Sequence, residues 1–181
     1  MSSAYERSGK IVKISVKRVT KEDVKIISNI YALSWKTAYR GLIPQKYLDE
    51  LRDDFWVGTF ENWITTKVIT ADILSVDNFP VGGIAYGKSR DEKLTDWGEI
   101  VSIYVHPDHY RLGYGKILLD TALKFMREDG YKKCYLWVLE QNENAKCFYE
   151  KNGFRCNKDQ FEFQIMGKQL TDLRYVLDLD N

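Results

Sequence analysis

The stretch Glu99–Gly130, EIVSIYVHPDHYRLGYGKILLDTALKFMREDG, restricts the possible folds of this chain more than any other. Glu99–Val105 is rich in Val, Ile and Tyr and predicts a short strand. Pro107, with no N–H to give to a ladder, ends it. A polar turn follows, Tyr110-Arg111-Leu112-Gly113-Tyr114-Gly115-Lys116, and then a helical pattern. Leu118, Ala122 and Phe125/Met126 recur on one face at a period of 3.6, and Gly130 stands where a helix end favours a left-handed residue. Strand, glycine turn and helix together make an anion cradle. The first N–H groups of a helix have no intrahelical acceptor, and the helix dipole adds partial positive charge there. The missing Cβ of glycine lets an anion approach the backbone closely. Phosphate binding at Tyr110–Lys116 is the expectation; a plain tight turn is the alternative.

The rest of the chain limits what that anion can belong to. At 181 residues it fits one domain with a core that needs neither disulfides nor metal. The formal net charge is +1, and Lys and Arg are spread along the sequence, so nothing favours nucleic acid or an anionic membrane as partner. Three cysteines, Cys134, Cys147 and Cys156, form no CxxC pair and no even disulfide set, which suggests a reducing, cytoplasmic setting. No apolar run reaches membrane-span length, and the polar start MSSAYERSGK does not read as a signal peptide. Residues 1–10 are expected to be a flexible tail and residues 11–180 a single domain.

Along that domain, Val12, Ile14 and Val16 alternate with Lys13, Ser15 and Lys17, as in a half-buried strand. Thr20 and Asp23 suggest a capping box before a helix through Val24, Ile27, Tyr31 and Trp35. The pattern breaks at Ala38–Pro44. Pro44 opens a second short helix, and Asp53 or Asp54 is placed to cap a third. Strands follow at Val68–Val76 and Val81–Lys88, joined by the turn-rich Asp77-Asn78-Phe79-Pro80, with Gly82 and Gly83 marking a bulge or a close backbone approach. After Gly130, Lys132–Leu139 is apolar on both faces and reads as a central strand. Asn142 can cap a helix over Glu143–Lys151 that stops at Asn152-Gly153. Strands are expected at Phe154–Cys156, Phe161–Ile165 and Leu170–Leu179. This order predicts an α/β (α+β) domain of three layers: a mixed central sheet of about six to seven strands with helices on both faces.

Two other glycine motifs are excluded. A dinucleotide fingerprint needs a glycine where Leu118 stands, and a P-loop needs Gly-Lys-Ser/Thr where Lys116 precedes Ile117. The turn instead resembles the Gln/Arg-x-x-Gly-x-Gly/Ala motif of the GNAT superfamily of acyl-CoA-dependent N-acyltransferases, with Tyr110 in the first position. Asn142-x-x-Ala145-x-x-Phe148-Tyr149-Glu150-Lys151-Asn152-Gly153-Phe154 is similar to that family's closing segment. Ser34–Pro44 is similar to the helix-loop-helix that covers its acceptor site. The resemblance spans about Lys10 to Leu179. It implies a sheet splayed in the middle and transfer of acetyl from acetyl-CoA to a primary amine by direct attack, without a metal. It also implies a small amine or a peptide amine as acceptor and leaves a homodimer open. A non-catalytic acetyl-CoA sensor is the alternative reading.

The same resemblance assigns roles. Tyr110, Arg111, Leu112, Gly113, Tyr114, Gly115 and Lys116 would hold the cofactor pyrophosphate, and Ile103, Tyr104 and Val105 its pantetheine arm. Asn142 would be a further contact, though helix capping alone accounts for it. A strand bulge placed at Val105 would free an N–H for the reacting carbonyl. Glu99 stands where the family places a base, with Glu143, Asp96 or a water chain as alternatives. Tyr149 stands where it keeps a general acid, and packing alone is the other reading. Trp35 and Tyr39 would line the acceptor pocket or serve only as core. Asp49, Glu50, Asp53 and Asp54 lean toward a cationic acceptor unless they form a solvated helix face. His106 and His109, three apart in a proline-broken loop with no cysteine pattern, are expected to face solvent rather than a metal.

Overall fold

The computed structural model describes residues 2–7 and 10–180. Its strands are β1 (Ser2–Arg7), β2 (Lys10–Arg18), β3 (Ile69–Val76), β4 (Phe79–Lys88), β5 (Trp97–Val105), β6 (Lys133–Leu139), β7 (Arg155–Ile165) and β8 (Lys168–Asp178). The helices are α1 (Val24–Ala38), α2 (Gln45–Glu50), α3 (Val57–Thr66), α4 (Tyr114–Glu128) and α5 (Glu143–Lys151). The strands form one sheet in the order β1-β2-β3-β4-β5-β6-β8-β7, antiparallel throughout except for the parallel pair β5–β6. Strands β2–β8 match the expected mixed sheet. The eighth, β1, lies where the sequence reading places a tail and pairs along the outer edge of β2, with Ser2 opposite Ser15 and Arg7 opposite Lys10. Such pairing uses the backbone groups of an open edge, which SSAYER does not announce by any apolar alternation.

Alternation along the strands sorts side chains into two cores. Ile84 and Tyr86 pack with Leu118, Ala122 and Met126 of α4, whereas Ala85 joins Ile27 and Tyr31 of α1 and Phe60 of α3 on the other face. The glycine pair in β4 lets both helices come close. A Cβ on Gly82 would lie 3.0 Å from Leu118 Cδ1, and one on Gly83 only 2.6 Å from Ile27 Cδ1. This is the close approach that the sequence allowed at those positions.

Several local signals act as the sequence suggests. The Thr20 N–H donates to Asp23 Oδ2 (3.0 Å) ahead of α1. Gly130 (φ +85°) closes α4, with the Tyr131 N–H returning to the Met126 carbonyl (3.0 Å). The β3–β4 turn is tighter than expected. Asp77 and Asn78, both at positive φ, turn the chain alone, and Phe79 and Pro80 already belong to β4. Neither Asp53 nor Asp54 caps α3. Its entry is set by buried Ser28 of α1, whose Oγ donates to the Asp53 carbonyl (2.7 Å) and accepts from the Trp56 N–H (3.1 Å). The segments read as two strands around residues 154–165 merge into β7, with an irregular register between Cys156 and Gln160.

Replacing Gly83 with Ala should destabilise the protein by about 1–3 kcal/mol, the usual range for overpacking a filled core. Denaturant unfolding measures this. An unchanged midpoint would show that Ile27 yields without cost.

Candidate active site

The turn between β5 and α4 has the geometry of an anion cradle. Pro107–His109 makes one 3-10 turn, Arg111 (φ +58°) and Gly113 (φ +85°) are left-handed, and Tyr114 begins the helix. The Gly113 carbonyl accepts from the N–H groups of Lys116 (3.1 Å) and Ile117 (3.2 Å). The N–H groups of Tyr114 and Gly115 precede any intrahelical acceptor. A Cβ built on Gly113 meets nothing within 4 Å, so the space beside the turn is open to a ligand. A Cβ on Gly115 would lie 3.5 Å from the Phe148 ring of α5, which sets the turn beside that helix. Among the described residues Arg111 makes no ion pair, whereas Lys116 Nζ is held by both carboxylate oxygens of Asp120 (2.9 Å each).

Beside this turn the sheet divides. The parallel pairing of β5 with β6 runs from Trp97–Lys133 to Ile100–Leu136 and stops there, although both strands continue. The register of β5 on β4 slips at Val101, which is where the bulge lies, four residues before Val105. The His106 N–H bonds to the Val81 carbonyl (2.7 Å), and antiparallel bonding alternates. Tyr104 therefore pairs its backbone with Gly83 on β4, while the N–H groups of Ile103 and Val105 turn the other way, into the gap. The Val105 carbonyl, on that same side, accepts from buried Ser34 Oγ of α1 (2.7 Å).

Phenols from the two faces of the sheet meet at this gap. Tyr149 of α5 is buried against Phe148 and Phe154, and its hydroxyl makes no hydrogen bond among the described residues. Burial raises its pKa, with further contributions from Tyr39 and Tyr31 of α1 on the opposite face. The Tyr39 hydroxyl bonds that of Tyr104 (3.1 Å), and Tyr31 bonds Ser102 (3.0 Å). Burial pushes Tyr39 up to about 12, so it too stays protonated near neutrality.

On the α1 side the gap opens into a cleft of about 460 Å³. Trp35, Tyr39 and Ile43 form one wall, Tyr104 and Trp137 the floor, and Phe161, Phe163 and Ile165 of the β7–β8 hairpin the other wall. Helix α2 closes one end, with Leu48 packed on Ile43, Leu139 and Leu170. Two carboxylates line this cleft, Glu99 and Asp172. Glu99 is fully engaged. Its Oε2 accepts from the Arg90 N–H, Arg90 Nε and the Tyr135 hydroxyl, all at 3.0 Å, and its Oε1 from Arg90 Nη2. The pair raises the pKa of Arg90. Asp172 of β8, opposite Leu139 on β6 and Phe161 on β7, has no such partner, and burial pushes its carboxyl up to about 6.

The structure therefore brings together most of the residues singled out in the sequence, in three groups. Tyr110, Arg111, Leu112, Gly113, Tyr114, Gly115 and Lys116 form the turn; Ile103, Val105 and Tyr149 border the gap; Trp35, Tyr39, Tyr104 and Glu99 line the cleft. Asn142 caps α5, its Oδ1 accepting from the Ala145 N–H (3.1 Å). The acidic residues 49–54 lie elsewhere: Asp49 accepts from Gln45, while Glu50 and Asp54 pair with Lys46 and Arg52, all on the surface. Asp172, Arg90, Trp137, Phe161 and Phe163 were missed. One signal for Asp172 was available, since it alternates in phase with buried Leu170 and so points inward. Among the described residues no group of three or more His, Cys, Asp or Glu side chains is arranged to hold a metal, and no helix is long and apolar enough to cross a membrane.

This arrangement agrees with comparisons to known proteins. The Acetyltransferase (GNAT) family model matches residues 29–154. The chain belongs to that family and is an acetyltransferase. It is 28% identical over 162 residues to the N-acetyltransferase YuaI of Bacillus subtilis, covering 88% of this chain and 90% of that protein. It is 26% identical over 159 residues to a spermidine N(1)-acetyltransferase of Thermoplasma acidophilum, covering 87% and 98%. The fold is shared with the PaiA N-acetyltransferase of Thermoplasma acidophilum solved in complex with coenzyme A. That match has a TM-score of 0.72 at 21% identity and covers 91% of this chain and 98% of the other.

Replacing Arg90 with Leu leaves the Glu99 carboxylate buried without its guanidinium. Because Arg90 itself is about half exposed, the expected loss of stability is roughly 1–3 kcal/mol. Thermal or denaturant unfolding of the variant measures it, and a loss below a few tenths would mean that water replaces the guanidinium freely.

Proposed function

We propose that this protein moves an acetyl group from acetyl-CoA to a primary amine by direct attack within a ternary complex. The observation that carries the reading is the gap after Ile100 and Leu136, which joins the N–H turn on one side to the aromatic cleft on the other. Donor and acceptor can then meet from opposite ends of one opening. The likeness to a spermidine N(1)-acetyltransferase supports an amine acceptor.

In this reading the pyrophosphate of coenzyme A sits on the N–H groups at the start of α4, in the space left open at Gly113, with Arg111 as the available cation. The pantetheine amides pair with the edge of β5 that β6 leaves bare, at Ile103 and Val105. The Val105 N–H, with that of Ile103 beside it, faces the thioester oxygen, where charge develops in the transition state. The Tyr149 hydroxyl, free of other bonds, donates to the departing sulfur. Full transfer from a phenol of raised pKa to a thiolate of pKa about 8.5 is uphill. Tyr149 therefore acts by relaying a proton from the attacking nitrogen rather than as an independent acid.

Two variants test this. Tyr149→Phe should lower kcat by roughly 10²–10³-fold, within the range for a positioned proton donor, while the affinity for coenzyme A changes little. Equal losses in both would reduce Tyr149 to packing. Gly113→Val places a branched side chain at φ +85° in the space assigned to the pyrophosphate. The thermal shift produced by coenzyme A in the parent should disappear in this variant, and a preserved shift would put the cofactor elsewhere. Binding of acetyl-CoA with no turnover on any amine would favour the sensor reading instead.

A further inference from the structure

We propose that the cleft takes a primary alkyl amine whose ammonium seats on the Asp172 carboxylate between aromatic walls, and that Asp172, rather than Glu99, receives the proton lost before attack. This rests on reading the site as that of an acetyl-CoA-dependent N-acetyltransferase.

The charges of the cleft sort themselves by geometry. Glu99 is neutralised by Arg90, whose guanidinium grips both of its oxygens, and the Tyr135 hydroxyl fills a further lone pair. A carboxylate so occupied must break a guanidinium pair before it can take a proton. Arg174, two positions along β8 from Asp172, is held by Asp91 (2.8 Å) and Asp159 (3.1 Å) and stacks on Tyr135 and Trp137. The titratable group left acting on Asp172 is the protonated phenol of Tyr39 on α1, hydrogen-bonded to the likewise protonated Tyr104 of β5 in the same cleft. The remaining walls, Trp35, Trp137, Phe161 and Phe163, carry no charge. Asp172 is thus the one uncompensated charge of the cleft among the described residues. A half-buried anion of this kind calls for a cation, and aromatic faces suit both an ammonium and its apolar stem. An acceptor with a carboxylate or phosphate of its own would be repelled.

The step balances as follows. The ammonium gives one proton to Asp172, and the freed nitrogen lone pair forms the bond to the thioester carbon. The carbon–sulfur bond breaks as the second nitrogen proton passes by way of Tyr149 to sulfur, giving amide and thiol. Asp172 then returns its proton to water. Asp172 must be ionised to bind and to accept, and burial sets its ionisation at about pH 6. Turnover should therefore rise through that pH.

The test uses the full chain, acetyl-CoA, and hexylamine or 6-aminohexanoate as probes, with thiol release followed from pH 5 to 8.5. The parent should acetylate hexylamine at least tenfold better than 6-aminohexanoate, and its kcat/KM should rise through about pH 6. Asp172→Asn should lower kcat/KM for hexylamine at least 100-fold and abolish that rise, while the thermal shift with coenzyme A persists. Glu99→Gln should keep the rise. Because a buried, uncompensated charge destabilises the fold where it is ionised, Asp172→Asn should melt above the parent at pH 8, by a margin that narrows as pH falls through 6. An Asp172→Asn enzyme with the parent's pH profile, or a Glu99→Gln enzyme that loses the rise, overturns the assignment while leaving the acetyltransferase reading intact. Preference for 6-aminohexanoate overturns the acceptor class. A parent that acetylates no amine removes the underlying reading itself.

Discussion

The site depends on a ladder that stops early. Four residue pairs join β5 to β6, and beyond Ile100 and Leu136 each strand keeps only its other neighbour, β5 with β4 and β6 with β8. Backbone groups released inside a protein need new partners. One is supplied from within, by Ser34 to the Val105 carbonyl. The N–H groups of Ile103 and Val105 are turned into the opening, where a substrate with amides of its own can complete the missing ladder. The same divergence lets Tyr39 from one layer bear on the protonation of Tyr149 from the other.

In and around the cleft, a high density of charge has been arranged to leave little of it free. The Glu99–Arg90–Tyr135 cluster ties the β4–β5 connection to the centre of the sheet, and Arg174 is sandwiched between ring faces and two aspartates. Both are structural uses of charge in partly desolvated surroundings, where the pairs must satisfy each other. Asp172 lies outside both arrangements. The cleft around it is lined by rings and phenols, which supply no balancing positive charge.

How much of this could be read from the chain depended on the range of the interaction. Strand, turn and helix between Glu99 and Gly130 follow from local rules, and so do the left-handed glycines at 113 and 130 and the Asn142 cap. The helix–sheet contacts at Gly82 and Gly83 were visible as glycines without a turn to justify them. What was hidden is non-local. The pairing of β1 draws on an open edge rather than on any pattern of its own. The bulge falls at Val101 because β5 must follow β4 while leaving β6, and no residue type marks that position. The acid run near residue 50 looked like an acceptor signal because its residues are adjacent in sequence, yet they pair with neighbours at the surface. The carboxylates of the cleft come from two strands far apart in the chain, and whether Glu99 is free depends on Arg90, nine residues away across a loop.

Ser34 gives the fold a further property. It sits on α1 one residue before Trp35, and its hydroxyl holds the carbonyl of Val105 at the end of β5. The helix that shapes one wall of the aromatic cleft is thereby fastened to the strand end from which the glycine turn departs. The opposite wall, built by Phe161 and Phe163 on the outermost β7–β8 hairpin, has no such hydrogen bond to that turn among the described residues. The hairpin wall of the cleft can therefore change, by substitution or a change of length, with no disturbance to the glycine turn. The chain separates a fixed half from an adjustable one within a single cleft.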